Sequence, residues 1–406
     1  MRQQPQARYW YIHSVADDAR GFHTADRAEV DGKVGTVAAI ARSEGLAGIL
    51  VSAQHNFAWL SGGRHNRVDG SRESGVAHLL VAADGRRWVM TSNIEAARMS
   101  SEVLAGLGFD VIEFPWTDER ADSMRPMRIA GDIVGSDDIG TDISGHSRRS
   151  IEPLLSRART HLCAAEIGRY RTLGADASRL LGALARQVEP GQREDDTSRQ
   201  LGAALIQADM RPVVLLAGAD ERIAKYRHPV PTSRTWERTL LLVACVERHG
   251  LVVALSRIVS SRRNDELDRR TRACAEVFGR IAAATVDRAR ASAIFSAAAS
   301  AYADAGFAGE ERSHHQGGAI GYRSREWVAH PGSGEVVHVP QAFAWNPSIA
   351  GTKVEETFLL HDDDAIEVMT HDPEWPAMDV DVRGTRLRLP LVLTLGTSMS
   401  QGVGPA

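Results

Sequence analysis

One short segment of this chain concentrates side chains that could bind a ligand or move a proton. Residues 313–327 read Ser-His-His-Gln-Gly-Gly-Ala-Ile-Gly-Tyr-Arg-Ser-Arg-Glu-Trp. Glycines let a backbone approach a bound molecule closely, and the adjacent pair His314 and His315 is costly to bury without polar partners. The composition favours a functional loop. A glycine-rich surface hairpin with incidental histidines is the alternative interpretation.

The following segment carries a candidate carboxylate. Residues 341–360 predict a strand, a turn at Asn346-Pro347, and a second strand led by Lys353 and Glu355. Glu355 could orient or activate a water molecule, or bind a cationic group. Charge pairing with Lys353 in the sheet is the alternative, and the two interpretations are equally consistent with the sequence.

A third candidate is His228, which lies in the loop Ala-Lys-Tyr-Arg-His-Pro-Val-Pro of residues 224–231. Because Pro229 follows it, the backbone of His228 is held extended, which would fix the direction of the ring. An imidazole titrates near neutral pH and can pass a proton to a leaving nitrogen. Taken by themselves, these residues favour the alternative, a surface histidine in a proline-rich loop.

The elements that must position these residues fall into two sets. Residues 1–160 alternate helix and strand signals, which predicts an α/β domain. The turn residues Asp84-Gly85 between two apolar runs are typical of a β-hairpin. The predicted helices and strands of this domain are a helix over 34–42, a strand over 47–52, a hairpin over 78–90, a helix over 95–107 and a strand over 109–114.

Residues 161–406 predict an α+β domain with long helices on an antiparallel sheet. Apolar residues from Ile167 to Val188 recur in steps of three and four, which indicates a long amphipathic helix that ends at Pro190-Gly191. Further helices are predicted over 196–208, 266–290 and 293–305. The predicted strands cover 213–216, 239–246, 251–258, 342–345, 357–360, 365–368, 379–382 and 386–395.

Composition narrows the class of protein. A chain of 406 residues suits two domains, and 48 Lys and Arg against 52 Asp and Glu give a formal charge of −4. This balance does not indicate a nucleic-acid or membrane partner. Three widely spaced cysteines form neither a zinc knuckle nor a disulfide framework. No secretory signal and no bilayer-spanning apolar run is recognised, so we expect a cytoplasmic protein.

Five motifs in order resemble the creatinase/aminopeptidase P superfamily, the pita-bread hydrolases. In the second half, they are His315-Gln-Gly-Gly, Asn346-Pro347 and Lys353-Val-Glu-Glu-Thr, which resemble the family's His-Gly-x-Gly, Glu-Pro and Arg-Ile-Glu-Asp-Thr. Residues 49–64 and the Pro-Gly of 190–191 with Glu194 resemble two earlier family segments. The resemblance covers nearly the whole chain. It implies a creatinase-like N-terminal α/β domain over 1–160 and a pita-bread domain, with long helices on a curved antiparallel sheet, over 161–406.

The resemblance also implies a metal centre that this chain lacks the residues to build. Family metallopeptidases hold two divalent ions with two Asp, one His and two Glu. Here Val243 and Ala254 fall at the aspartate positions and Asn346 at the first glutamate, so only His315 and Glu355 keep ligand chemistry. One imidazole and one carboxylate cannot enclose two hard dications. We therefore expect no bound metal and no cofactor.

Residue roles follow from the same resemblance. It implies that His228, His315 and Glu355 are catalytic, while His314 is expected to be structural. Arg325 stands near a family histidine, and a permanent cation there suggests recognition of a carboxylate. Arg64 belongs to the segment that reaches into the partner's active site in creatinase-like dimers. The predicted substrate-binding residues are Arg64, Gln316, Tyr322, Arg325, Glu326, Asn346 and Lys353.

These features predict a creatinase-like, metal-independent hydrolase of a C–N bond in an amide, amidine or urea-like group of a small polar metabolite. We expect a homodimer whose active site is completed by the partner's N-terminal domain. The same proton-transfer groups would also serve a lyase or an isomerase. Two rivals stay open. One is an inactive pseudo-peptidase acting as a binding protein. The other is a mononuclear metallopeptidase using His315 and Glu355 with His314 or Glu326.

Overall fold

A computed structural model describes residues 10–12, 25–143 and 149–396 of the chain. The chain divides into two units, Met1–Arg159 and Thr160–Ala406. Within the described residues, none of the helices combines the length and the apolar character that crossing a membrane requires.

The N-terminal unit is built on a six-stranded mixed sheet in the order β1-β5-β4-β3-β2-β6. Its central strands are apolar on both faces, because helices cover them, and Leu50, Leu80 and Ile112 are buried. The elements of this unit are β1 Trp10–Ile12, α1 Ala25–Ser43, β2 Gly48–Ala53, α2 Gln54–Leu60, β3 Ser74–Ala82, β4 Arg87–Ser92, α3 Ala96–Arg98, a π-helical turn Met99–Val103, β5 Asp110–Phe114, α4 Trp116–Ala121, α5 Arg125–Val134, β6 Ile139–Thr141 and α6 Glu152–Thr160.

The predicted hairpin is present, but the predicted helix over 95–107 is mostly not α-helical. Asp84 accepts a hydrogen bond from the backbone N–H of Arg86 at 3.0 Å, and Gly85 takes a positive φ of 90° in the turn. After α3 the chain continues as a π-helical turn that ends at Val103. Met99, the first residue of this turn, is buried.

The C-terminal unit contains two four-stranded sheets, in the orders β10-β11-β14-β15 and β18-β9-β8-β7, and the two-stranded pairs β12-β13 and β16-β17. Its elements are α7 Ala164–Ala185, α8 Glu194–Gln207, β7 Arg211–Ala219, α9 Glu221–Lys225, β8 Thr239–Arg248, β9 Leu251–Ser260, α10 Asp265–Ala284, α11 Ala291–Asp304, a 3-10 turn Glu310–Arg312, β10 Gly317–Ala319, β11 Gln341–Trp345, β12 Ser348–Ile349, β13 Thr352–Lys353, β14 Glu356–Leu360, β15 Ile366–Val368, β16 Ala377–Val382, β17 Thr385–Pro390 and β18 Leu393–Thr394.

The hairpin β8–β9 joins the two larger sheets of this unit. Its turn residues His249 and Gly250 both have positive φ, at 53° and 78°, which is typical of a two-residue hairpin turn. Across the sheets, Thr357 Oγ1 donates to the carbonyl oxygen of Ala254 and accepts from its N–H, each at 2.9 Å. The backbone N–H of Ser256 donates to the carbonyl of Glu355 at 3.2 Å. These bonds hold the Glu355 segment against β9.

The long helices agree with the apolar spacing of the sequence, with one shorter than expected. Helix α10 ends at Ala284 rather than at residue 290. Arg288 adopts a positive φ of 65°, and its N–H donates to the carbonyl of Val337 at 3.0 Å. The chain therefore leaves the helix because the next residues pair with the segment around Val337.

Helix α7 packs closely on the residue that follows strand β15, Met369. The position of Gly174 in the helix therefore tolerates only glycine. A methyl group at Gly174 would collide with the carbonyl oxygen of Met369, whereas nothing lies within 4 Å of one at Gly168, on the exposed side of the same helix. We expect Gly174→Ala to lower the free energy of unfolding by about 1–3 kcal/mol. Gly168→Ala is the matched control, and its better helix propensity should raise stability by up to about 1 kcal/mol. Chemical denaturation compares the two, and equal effects would contradict the close packing.

Candidate active site

The histidine-bearing loop is held against the sheet by two glycines. Strand β10 pairs antiparallel with β11 directly after the two histidines. A Cβ atom at Gly317 would overlap the carbonyl oxygen of Ala344, and one at Gly318 would overlap the carbonyl oxygen of Trp327. Gly317 also has a φ of 100°, which side chains disfavour. The glycines are therefore required to place the loop, as the sequence composition suggested.

His228 lies beside His314 and His315, although it belongs to a separate segment of the chain. It lies in the loop after α9, and the preceding residue anchors this loop. The guanidinium of Arg227 contacts Glu310 and donates through Nη1 to Ser348 Oγ at 3.4 Å. Pro229, next in the chain, is buried while His228 itself stays exposed. The loop thus presents the His228 ring to solvent from a fixed base.

Three imidazole rings meet at this point. The ring centroids of His228 and His314 are 4.9 Å apart, those of His314 and His315 4.5 Å, and those of His228 and His315 5.7 Å. The Nε2 atoms of His228 and His314 lie within hydrogen-bond distance, at 3.1 Å. Only one of two facing neutral nitrogens carries the proton, so one ring donates and the other accepts. When His228 donates, its Nδ1 atom keeps a lone pair.

The other ring nitrogens differ in their surroundings. His314 Nδ1 is 3.3 Å from Ser348 Oγ, which fixes the orientation of that ring. His315 Nδ1 is buried and has no hydrogen-bond partner among the residues that the structure describes. An unsatisfied buried nitrogen is costly, so this atom is a candidate contact for a ligand.

All three rings are uncharged at neutral pH. Burial lowers the pKa of His314 to about 2, with a further contribution from the charge of Lys353. Burial and the charge of Arg325 lower the pKa of His315 to about 4. Burial lowers the pKa of the more exposed His228 by less, again helped by Lys353. The cluster therefore offers neutral nitrogen atoms.

A buried ion cluster faces the histidines. Glu355 is 1% exposed, and its Oε1 accepts a hydrogen bond from Arg325 Nη2 at 3.1 Å. Its Oε2 lies 2.8 Å from Lys353 Nζ and accepts a hydrogen bond from Ser256 Oγ at 2.6 Å. Burial alone would raise the pKa of Glu355, but the charges of Lys353 and Arg325 prevail and lower it to about 2. Glu355 is thus a permanent anion between two cations, which leaves a net positive charge.

The nearby thiol is not a nucleophile. Cys245 lies on β8, opposite Ala254 of β9. It interacts electrostatically with the charged groups of the Glu355 cluster. Burial raises the pKa of Cys245 to about 11, so its sulfur stays protonated at neutral pH.

The side chains at this site do not fit a dinuclear metal centre. Val243 and Ala254, at the expected aspartate positions, are buried aliphatic residues, and Asn346 is a neutral amide. His315 retains a free nitrogen, but both carboxylate oxygens of Glu355 are engaged by cations. Two hard dications require several anionic oxygens, and this set supplies one already neutralised carboxylate. The donor set supports the prediction that the paired-ion centre is lost.

Several predicted substrate-binding residues have contacts within the protein, and their binding of a substrate stays a prediction. Gln316 Nε2 donates to the carbonyl of His314 at 2.6 Å, beneath the loop. Tyr322 donates to Glu166 Oε1 at 2.6 Å, and its own N–H donates to Glu326 Oε1 at 3.0 Å. These contacts hold the loop to α7. The side chains of Gln316, Tyr322 and Glu326 are therefore supports of the loop.

Asn346 lies beside the histidine loop, whereas Arg64 lies in the N-terminal unit. Asn346 is 1% exposed, its backbone N–H donates to the carbonyl of Gln316, and its Oδ1 has no hydrogen-bond partner among the described residues. This acceptor lies next to the histidine loop. Arg64 lies in the N-terminal unit, where its Nη1 donates to the carbonyl of Ser61 at 3.0 Å. Its contact with a partner's active site stays a prediction.

Three side chains at the site were not predicted from the sequence to contribute to it. His314, expected to be structural, faces His228 directly, and the adjacent His-His pair was the signal for it. Ser256 and Ser348 orient Glu355 and His314, but no pattern in the sequence distinguishes them from other serines.

The N-terminal unit holds a separate polar cluster in a cavity of about 790 Å³. Ser52 Oγ and His78 Nδ1 are 2.8 Å apart, and His78 Nε2 lies 3.6 Å from Glu119 Oε1. A serine nucleophile also needs free N–H donors for the oxyanion. The backbone N–H groups of Ser52 and Ala53 both donate to Asp142, at 2.8 and 3.0 Å. The arrangement therefore does not support nucleophilic catalysis.

Solved structures share this architecture. Dipeptidase PepE from Mycobacterium ulcerans matches with a TM-score of 0.71 and 17% identity, over 91% of this chain and 99% of that chain. The prolidase from Pyrococcus horikoshii OT3 matches with a TM-score of 0.67 and 13% identity, over 84% and 98%. The N-terminal domain of the FACT complex subunit SPT16 from Cicer arietinum matches with a TM-score of 0.66 and 11% identity, over 85% and 97%.

At these identities the likeness shows the fold. No protein-family model matches the sequence, and no curated protein matches it. The chain shares the pita-bread fold of this dipeptidase and this prolidase, with an α/β unit followed by an α+β unit. This confirms the fold expected from the sequence motifs.

Proposed function

We propose that this protein is a hydrolase of a C–N bond, in an amide, amidine or urea-like group of a small metabolite, and that it works without a dinuclear metal centre. The observation that carries the proposal is the neutral cluster of His228, His314 and His315 facing the pair of cations on Glu355. Proton-transfer groups and anion-binding groups are thus next to each other. The dipeptidase and the prolidase of the same fold support the general class of reaction.

His228 would be the proton shuttle. Its exposed ring takes a proton from water as the oxygen bonds to the substrate carbon, and then returns that proton to the leaving nitrogen as the C–N bond breaks. The products are the hydroxylated carbon compound and an amine or ammonia, so atoms and protons balance. His314 acts through its contact with His228, by orienting the ring and sharing its proton.

The neighbouring groups would bind the substrate. Glu355 is too acidic to accept a proton near neutral pH, so its role is to hold Arg325 and Lys353 in place. Arg325 would bind a substrate carboxylate. The unpartnered Asn346 Oδ1 and His315 Nδ1 would contact N–H groups and polar atoms around the scissile bond.

Turnover of a compound panel tests the proposal. Purified protein in chelator is incubated with small amides, ureas, guanidino acids and dipeptides, and release of amine or ammonia is measured. We expect hydrolysis of at least one carboxylate-bearing compound. Absence of turnover across the panel would contradict an enzymatic function.

Arg325 supplies a test of substrate recognition. We expect Arg325→Gln to raise KM roughly ten- to hundredfold, because a charge-assisted hydrogen bond contributes about 1.5–3 kcal/mol. Arg325→Lys should recover only part of this loss, since a lysine cannot form a two-pronged contact. Steady-state kinetics separate KM from kcat. The control is Arg312→Gln, an exposed arginine beside Glu311, which should leave KM unchanged.

A binding protein is the second candidate. The N-terminal domain of SPT16, a FACT complex subunit, has this fold, so the fold also occurs in a protein that is not named as a peptidase. The two functions differ in one measurement: a binding protein retains a ligand unaltered in the assay above, whereas a hydrolase converts it.

A further inference from the structure

The three histidines have the spacing of ligands to a single metal ion. One nitrogen from each ring lies within 4.8 Å of the others. The Nε2 atoms of His228 and His314 are 3.1 Å apart. Around a tetrahedral zinc ion with bonds of about 2.0–2.1 Å, neighbouring ligand atoms are about 3.3 Å apart. This pair therefore already has about the required separation, and a nitrogen of His315 lies within 4.8 Å of both.

The donor type selects the kind of ion. Imidazole nitrogen suits Zn²⁺ and other borderline first-row cations, and three histidines with one open position form known zinc sites. Mg²⁺ and Ca²⁺ require oxygen ligands. The Glu355 carboxylate of this site is engaged by Lys353 and Arg325, so it does not supply them.

A hydrogen bond to the second ring nitrogen of His314 also supports metal binding by the three histidines. A metal-bound histidine commonly has its second ring nitrogen fixed by a hydrogen bond. His314 has this contact, since its Nδ1 lies 3.3 Å from Ser348 Oγ. Arg227 also donates to this oxygen at 3.4 Å, and since a hydroxyl oxygen has two lone pairs, Ser348 can accept from the His314 ring as well.

We propose that His228, His314 and His315 bind one Zn²⁺ ion or a similar borderline divalent cation, and that the bound ion withdraws His228 from proton transfer. The site shares only His315 with the dinuclear centre that the fold resemblance implies. It also differs from the mononuclear alternative that the sequence left open, because Glu355 and Glu326 are engaged in other contacts. The inhibitory effect rests on the proposed function, whereas ion binding does not.

Metal titration tests the binding. Metal-stripped full-length protein is titrated with Zn²⁺ by calorimetry and with Co²⁺ by visible absorption. We expect one ion per chain, with the intense bands of tetrahedral Co²⁺, and no heat from Mg²⁺. Ser348→Ala keeps all three ligands and should weaken binding about 10- to 100-fold, the usual effect of losing an outer contact. His228→Ala should weaken it further.

Two variants show whether the ion binds at the three histidines. His228 is exposed, so His228→Ala should fold normally, which circular dichroism verifies. His330→Ala, an exposed histidine whose Nδ1 accepts from the N–H of Gly332, should bind as the wild type does. Absence of Zn²⁺ binding, or binding unchanged in His228→Ala, would overturn the site.

A second titration tests inhibition. If the wild type hydrolyses a compound of the panel, turnover should fall as Zn²⁺ is added, level off at one ion per chain, and recover in EDTA. Unchanged turnover at full occupancy would overturn the inhibitory role. If no compound is hydrolysed, the proposed function fails, and the binding isotherm still decides the site.

Discussion

Replacing His228 with alanine should lower kcat about 10²- to 10⁴-fold, the range typical for loss of a general acid–base group. His228 is exposed, faces His314 Nε2 at 3.1 Å, and belongs to a loop that Arg227 anchors independently. Its removal therefore takes away the proton shuttle without disturbing the surrounding structure. The measurement is kcat for the compound hydrolysed by the wild type.

The control for this variant is His330→Ala, which should leave kcat unchanged. His314→Gln should lie between the two, since an amide can still contact His228 but cannot share its proton. Thermal unfolding of each variant verifies the fold. Wild-type turnover in His228→Ala would remove His228 from the mechanism.

Replacing Glu355 with glutamine should lower the free energy of unfolding by about 3–5 kcal/mol, because removal of one partner leaves buried charge uncompensated. The side chain of Lys353 is 4% exposed and that of Arg325 15%, and both point at the Glu355 carboxylate. The amide of glutamine carries no charge to offset them. Denaturant unfolding measures the difference.

A double variant tests whether uncompensated buried charge causes this loss of stability. Glu355→Gln combined with Lys353→Met removes one cation together with the anion, so it should be more stable than Glu355→Gln alone. The comparison charge is Glu367, which is 35% exposed and pairs with Arg171 at the surface. Glu367→Gln should cost at most about 1 kcal/mol. Equal losses for Glu355→Gln and Glu367→Gln would show that the Glu355 cluster is not a buried ion network.

The long elements were predictable from sequence because their patterns are local. The apolar steps from Ile167 onward become helix α7, and the apolar runs that include Val243 and Ala254 become the buried strands β8 and β9. The exceptions depend on tertiary contacts. Residues 99–103 form a π-helical turn in place of the predicted α-helix, and after the end of α10 the chain pairs with another segment through Arg288 and Val337.

The site was predictable in its residue types and less so in their contacts. His228, His315 and Glu355 were found because their motifs and spacing stand out. The adjacent His-His pair marks both rings as candidates, but adjacent residues in extended backbone point to opposite sides, so it does not predict that His314 and His315 meet in one cluster. The turn that places both rings together depends on the loop packing at Gly317. The engagement of Glu355 by two cations likewise requires the folded strands.

The most direct test is the metal content of the working protein. The chain is equilibrated with excess Mn²⁺ or Co²⁺, dialysed, and analysed for bound metal, while turnover is measured with and without EDTA. We predict no more than one ion per chain, bound at the histidines, and full turnover in chelator. Two tightly bound ions per chain, with activity lost in EDTA and restored by the metal, would contradict the account.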